Sequence, residues 1–129
     1  MELIRGAHNL RPSHCGCVAT IGNYDGVHLG HQAVLDQVRQ LARPLRLPVT
    51  VVTFEPSPQE YFAAEGAPAR LSRLPEKLGE LAGAGVDRVL CLRFDRALAR
   101  LPATAFVERL LIQGLGVREL VVGDDFRFG

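Results

Sequence analysis

Four short apolar runs, separated by segments with helical spacing, constrain the fold of this chain more than any other feature. The runs occupy residues 17–21, 49–54, 89–92 and 120–122, and each ends close to a glycine, a proline or an acidic residue. Continuous apolar runs of this length are typical of strands that are buried on both faces. We therefore predict four parallel strands.

The segments between these runs carry the periodicity of helices. Apolar residues recur at helical spacing from Val34 to Leu45, and Pro48 follows as a stop. The same spacing predicts helices over residues 75–84 and 103–112, each followed by a glycine. Alternating strands and helices predict an α/β fold with a doubly wound, Rossmann-like parallel sheet. A chain of 129 residues has the length of one such domain, residues 1–129.

Three polar clusters follow predicted strands, at residues 22–31, 55–58 and 124–126. In a doubly wound sheet the ligand binds at the carboxyl ends of the strands. All three clusters are expected at that edge, which predicts one site there. The loop at 59–73, with room for a short helix at 60–65, is long enough to serve a function.

The cluster at 22–31 is a glycine-rich turn that leads from a strand into a helix. Gly22, Gly26 and Gly30 permit close backbone approach, and His28 and His31 bracket the start of the helix, where free amides face an anion. The glycine spacing excludes the G-x-G-x-x-G fingerprint and the Walker P-loop. The turn predicts chemistry at phosphorus, in which the protein positions the groups and stabilises charge. The alternative is a pair of surface or capping histidines.

The turn also carries a family resemblance. Residues 20–31 resemble the H-x-G-H nucleotidyltransferase signature of the prokaryotic bifunctional riboflavin kinase/FMN adenylyltransferases, also called FAD synthetases. Other landmarks of that family follow in the same order: Thr53-Phe54-Glu55-Pro56, Arg70-Leu71 with Glu76-Lys77, Phe106 with Leu110-Leu111, and residues 122–129. The resemblance covers essentially the whole chain.

The resemblance implies an adenylyltransferase in which the phosphate of FMN attacks the α-phosphorus of ATP, giving FAD and pyrophosphate with Mg²⁺. It implies that His28 and His31 are the catalytic residues at the ATP phosphates. The other residues expected at the nucleotide are Gly22, Asn23, Tyr24, Asp25, Gly26, Gly30 and Asp125. Metal ligands stay unassigned.

A flavin needs flat apolar surface beside its ring system. Phe62 and Phe128 are the first candidates, because Phe62 lies in a polar loop where no core periodicity explains it. Phe54 and Phe106 are further candidates, with a core position as the alternative for each. Tyr61 accompanies Phe62 in the same loop.

Some features depart from the family pattern. Ser57 stands where the family usually has histidine, and a hydroxyl can hydrogen-bond but cannot carry charge. Arg70 and Lys77 are either surface cations or groups that neutralise phosphate. By the resemblance we also expect an incomplete domain without its C-terminal strand, helix and phosphate-binding arginine, and without the riboflavin kinase domain. A non-catalytic nucleotide- or flavin-binding module, or another H-x-G-H enzyme acting on cytidylyl or pantetheine-phosphate substrates, stays an alternative.

Composition narrows the class of protein. Hydrophobic residues make up 47%, charged residues 22%, and the net charge is +1, which is typical of a globular protein and gives no basic excess for nucleic acid. No run approaches the roughly 18 apolar residues of a membrane helix, and the start lacks a signal-peptide core. We expect a cytoplasmic protein without nucleic-acid or membrane partners. The three cysteines, Cys15, Cys17 and Cys91, lack zinc-site spacing and are interpreted as buried or incidental thiols.

Overall fold

The computed structural model describes residues 1–24, 29–63 and 73–123, and in these residues five parallel strands form one sheet. The strands are β1 (Glu2–Arg5), β2 (Cys17–Ile21), β3 (Val49–Phe54), β4 (Arg88–Leu92) and β5 (Val117–Val122). Their order across the sheet is β1-β4-β3-β2-β5, and each neighbouring pair is parallel. The predicted α/β class and doubly wound parallel sheet are confirmed, but the prediction of four strands missed β1.

The helices follow the predicted alternation with shifted ends. They are α1 (Leu29–Leu45), α2 (Pro58–Ala63), α3 (Leu74–Gly83), α4 (Arg96–Arg100) and α5 (Ala103–Phe106), and α5 continues as a π-helical segment, Val107–Gly114. The sequence did not predict α4. Its start is fixed by Asp95, whose carboxylate accepts the Leu98 N–H at 2.9 Å, as an N-cap residue does.

Two apolar cores lie on opposite faces of the sheet. Side chains of α1 and α3 pack on one face with residues that share it: Val18, Leu35, Val38, Val51, Leu81 and Val89. Side chains of α5 and its π-helical continuation pack on the other face, with Ile21, Val52, Phe54, Leu90, Phe106 and Leu111. Every residue of β2 and β3 is buried, because helices cover both faces. This explains why the strands appear in the sequence as unbroken apolar runs.

The winding of the chain fixes where a ligand can sit. From β2 the chain moves outward through β3 to β4, and it then returns by α5 to place β5 on the other side of β2. The direction of winding therefore reverses between β2 and β5. In open α/β sheets the crevice outside the carboxyl ends of such a strand pair is the usual binding position. Gly22 and Gly123 follow these two strands directly.

The opposite end of the sheet is closed by a polar cluster of Glu2, His14 and Arg88. The Arg11 N–H donates to His14 Nδ1 at 2.9 Å, so Nε2 carries the proton and donates to Glu2 Oε2 at 3.1 Å. Arg88 lies 3.6 Å from Glu2 Oε1 and also donates to the His14 carbonyl at 2.9 Å. The hydrogen bond from His14, helped by the positive charges nearby, lowers the pKa of Glu2. These contacts hold β1 against the start of β4.

Candidate active site

The 22–31 turn begins with a close contact between Gly22 and the ring of Tyr24. The Gly22 N–H donates to the Val52 carbonyl at 3.0 Å, and a Cβ placed on Gly22 would lie 3.0 Å from Tyr24 Cε2. Tyr24 is buried, and its hydroxyl lies 2.9 Å from the hydroxyl of Thr20. Its φ of 52° is in the left-handed region, which few residues other than glycine adopt. A side chain at position 22 would therefore press on the tyrosine ring.

His31 is placed by the same tyrosine. It lies in the first turn of α1, and its ring centroid is 4.6 Å from that of Tyr24, with the planes inclined by 42°. Gly30 is exposed at the start of the helix, and Asn23 is half-buried in the turn. Asp25, Gly26 and His28 lie outside the described residues. The pairing of the two histidines therefore stays a prediction.

Lys77 is the residue whose surroundings differ most from the sequence-based alternatives. It is only 2% exposed, so the interpretation as a surface cation is wrong. Its ammonium donates to the Asn23 carbonyl at 2.7 Å and to Thr53 Oγ1 at 3.2 Å, and Thr53 donates to the same carbonyl at 3.0 Å. These bonds join α3 and the end of β3 to the turn. Lys77 lies at helical spacing with Leu74 and Leu81, which was a signal of its burial.

Four aromatic side chains meet beyond the ends of β3 and β4, and we call them the aromatic cluster: Phe54, Tyr61, Phe62 and Phe94. The Phe94 ring lies edge-on to the other three, with centroid distances of 5.8 Å to Phe54, 5.4 Å to Tyr61 and 5.6 Å to Phe62. Phe62 is 69% exposed, whereas Phe54 is buried at the end of its strand. The structure thus brings Phe54 and Phe62 together through Phe94, which the sequence analysis missed.

The other flavin candidates are divided between the core and the undescribed residues. Phe106 is buried in the same core as Phe54, on the α5 face of the sheet. Phe128, like Asp125 and Arg70, lies outside the described residues. Phe106, like Phe54, is therefore a core residue on that face of the sheet.

Ser57 has a structural role that its comparison with histidine did not suggest. Its N–H donates to Glu60 Oε1 at 3.0 Å, and the Glu60 N–H donates to Ser57 Oγ at 3.2 Å. This reciprocal pair is a capping box at the start of α2. The signal was the spacing Ser57-Pro58-Gln59-Glu60. Ser57 therefore fixes the helix that carries Tyr61 and Phe62.

The cysteines differ in exposure. Cys17 and Cys91 are buried and Cys15 is exposed, and burial raises the pKa of the Cys17 thiol. Within the described part of the chain, no three histidine, cysteine or acidic side chains gather as a metal site would require. No helix in that part is long and apolar enough to cross a membrane. A cleft of about 370 Å³ between α1 and α3 is lined by Asp36, Arg39 and Glu80 among others, and none of the predicted site residues that the structure describes lines it.

Known proteins resemble this chain over its full length. The family model for FAD synthetase matches residues 10–129. A bifunctional riboflavin kinase/FMN adenylyltransferase from Pseudomonas fluorescens is 58% identical over 129 residues, which cover 100% of this chain and 41% of that protein. The protein of the same name from Escherichia coli K12 is 57% identical over 130 residues, which cover 42% of its length. The chain thus spans less than half the length of these curated relatives.

Solved structures share the fold. One described as a macrolide-efflux protein from Streptococcus pneumoniae superposes with a TM-score of 0.85 at 27% identity, covering 100% of this chain and 43% of that one. A pantothenate synthetase from Thermus thermophilus gives a TM-score of 0.58 at 18% identity, covering 93% of this chain and 51% of that one. The second similarity concerns the fold alone.

Proposed function

Because the chain belongs to the FAD synthetase family, we propose that it transfers AMP from ATP to the phosphate of FMN, giving FAD and pyrophosphate. One observation supports the proposal: residues 22–24 with the start of α1, and the aromatic cluster, both lie at the carboxyl ends of the central strands. A two-substrate reaction needs a phosphate-binding element beside a flat apolar one, and these two features supply them.

The ATP half of the site is the 22–31 turn with the start of α1. Free amides and the helix dipole favour the negative charge of the triphosphate there. His31, in the first turn of α1, donates to phosphoryl oxygens, and His28 acts with it. The nucleotide lies along Gly22, Asn23, Tyr24, Asp25, Gly26 and Gly30, with Asp125 as a further contact.

The flavin half is the aromatic cluster. The exposed face of Phe62 offers the apolar surface on which an isoalloxazine ring stacks, and Phe94 and Tyr61 support it edge-on. Phe54 and Phe106 close the pocket from the core, and Phe128 completes it. The capping box of Ser57 and Glu60 then affects flavin binding through the position of α2.

In the reaction an oxygen of the FMN phosphate forms a bond to the α-phosphorus of ATP. The bond from that phosphorus to the bridging oxygen of the β-phosphate breaks, and pyrophosphate leaves with the electron pair. His28 and His31 stabilise the charge that develops on the transferred group, so no covalent protein intermediate is needed. The chain's residues act by position and charge.

Mg²⁺ supplies charge neutralisation at the phosphates, and we propose that it arrives with ATP. Mg²⁺ is usually held by substrate phosphates, water and one or two carboxylates rather than by a protein cage. We also propose a cytoplasmic location. The relatives' names include a riboflavin kinase activity for those proteins, and we propose that activity only for a longer parent protein.

The test is to incubate the chain with ATP, Mg²⁺ and FMN and to measure FAD by chromatography. We expect FAD, with a rate that falls by about a hundredfold or more in His31→Ala, as when one donor to a developing charge is lost. His8→Ala, which removes an exposed imidazole elsewhere, is the matched control and keeps the rate. ATP binding without FAD would instead favour a binding module, and turnover with CTP or phosphopantetheine a sister enzyme.

A further inference from the structure

Lys77 is the one lysine among the 15 lysine and arginine residues of this chain, and it is almost fully buried. Lysine is among the residue types least often buried, because an ammonium loses its hydration and a flexible side chain loses its freedom. Leu74, Leu78 and Leu81 of the same helix supply apolar packing at this face. A buried lysine among them is better explained by what its ammonium binds than by the core.

The ammonium binds the backbone of the nucleotide half of the site. Lys77 Nζ donates to the Asn23 carbonyl at 2.7 Å, and the hydroxyl of Thr53 donates to the same oxygen at 3.0 Å. Carbonyl and N–H point in opposite directions across a trans peptide. Fixing the Asn23 carbonyl toward Lys77 therefore turns the N–H of Tyr24 to the other side.

The next residue explains why such an anchor is needed. Tyr24 has a φ of 52°, a left-handed conformation that costs free energy in a residue with a side chain. Such conformations persist only where the surroundings determine them. Lys77 and Thr53 hold the peptide before Tyr24, and the hydroxyl of Thr20 lies 2.9 Å from the Tyr24 hydroxyl and holds that side chain.

The ring of Tyr24 in turn contacts the ring of His31, at a centroid distance of 4.6 Å. We propose that Lys77 is a positioning residue: by anchoring the Asn23 carbonyl it keeps Tyr24 left-handed, and so keeps His31 in place for ATP. The proposal rests on the proposed function of the site. In this role Lys77 contacts neither ATP nor FMN.

The main variant is Lys77→Met, which keeps the length of the side chain and removes the donor. The dissociation constant for ATP with Mg²⁺ rises by about tenfold or more, because the charge-assisted hydrogen bond to the Asn23 carbonyl is lost, and kcat falls with it. The dissociation constant for FMN alone stays the same, because the aromatic cluster does not depend on the Asn23 carbonyl. Arg43→Met removes an exposed cation of α1 and is the matched control, with both constants unchanged.

Thr53→Val provides a second test that does not depend on the stability of the first variant. It removes the other donor to the Asn23 carbonyl and keeps a β-branched side chain in β3. We expect a smaller rise of the dissociation constant for ATP. In the double variant this constant rises by less than the product of the two single factors, because both donors bind the same oxygen. If Lys77→Met does not fold, Thr53→Val alone decides.

Each result either supports or overturns the positioning role. Calorimetric titration measures the dissociation constants of folded Lys77→Met. An unchanged constant for ATP, or an equal loss of affinity for ATP and FMN, overturns the positioning role. If the first variant does not fold, an unchanged ATP constant in Thr53→Val does so. If the unsubstituted chain binds neither ATP nor FMN, the proposed function fails and the role of Lys77 falls with it. If the unsubstituted chain binds both and forms FAD while the variants match it, the function stands and only this inference fails.

Discussion

The hydrogen bond between Tyr24 and Thr20 gives the most quantitative prediction for the turn. The two hydroxyl oxygens are 2.9 Å apart, and Thr20 and Tyr24 are 0% and 3% exposed. Within the described residues, Tyr24 is the side-chain partner of the Thr20 hydroxyl. Tyr24→Phe therefore leaves a buried hydroxyl without that partner, which costs about 1–3 kcal/mol of unfolding free energy. Thr20→Val removes the other end of the bond and costs about 1 kcal/mol.

The double variant separates the bond from the rest of the packing. When both partners are replaced by apolar groups of the same shape, the loss of free energy is small, because no polar group is left buried. Thr20→Val with Tyr24→Phe should therefore cost less than the sum of the two single variants, by about 0.5–3 kcal/mol. The ring of residue 24 still contacts His31, so the contact that positions the histidine is kept.

The assay is denaturant unfolding at equilibrium, with the midpoint and slope compared among the variants. Tyr61→Phe is the matched control, because Tyr61 is 37% exposed and its change should stay within about 0.5 kcal/mol. The reasoning is refuted if all variants unfold with the same denaturant slope and the double variant loses as much unfolding free energy as the two single variants together. That result would mean that the two hydroxyls do not depend on each other.

Gly22→Ala should weaken ATP binding, because its Cβ would lie 3.0 Å from the neighbouring tyrosine ring; calorimetry measures the loss, and unchanged binding would contradict it. Glu2→Gln should lower stability at neutral pH, since the bond from His14 lowers the Glu2 pKa and this contribution exists above the ordinary value of 4.5. The deficit shrinks as pH falls through the lowered pKa in the folded chain, and a deficit independent of pH would refute the link. A thiol reagent at pH 8 should label Cys15 in the folded chain but not Cys17, because the Cys17 thiol is buried and its raised pKa keeps it protonated. Equal labelling rates for the two cysteines would contradict this.

The central strands could be predicted because burial on both faces produces a continuous apolar run in the local sequence. In β2 and β3 every residue is apolar or a threonine, and helices cover both faces. The edge strand β1 gave no such run, because Glu2 and Arg5 surround its two apolar residues. Its place beside β4 depends on the cluster at Glu2, His14 and Arg88, which no short window of sequence contains.

The site was predictable where its signal is local and was not where it depends on packing. The turn, its glycines and His31 follow one another within ten residues. Lys77 meets Asn23 across 54 positions and Thr53 across 24. Phe94 joins the aromatic cluster because β3 and β4 are neighbours in the sheet, a pairing that only the topology reveals. The sequence therefore predicted the location of the site better than the contacts that support it.

Steady-state FAD synthesis by His31→Ala and Phe62→Ala most directly tests the claim that the turn and the aromatic cluster are two halves of one site. We predict that His31→Ala lowers kcat with ATP and FMN saturating, because the histidine side chain acts on the reacting phosphates. We predict that Phe62→Ala raises KM for FMN and leaves KM for ATP unchanged, because that ring binds only the flavin. Full activity in both variants, or a loss for ATP alone in Phe62→Ala, would contradict it.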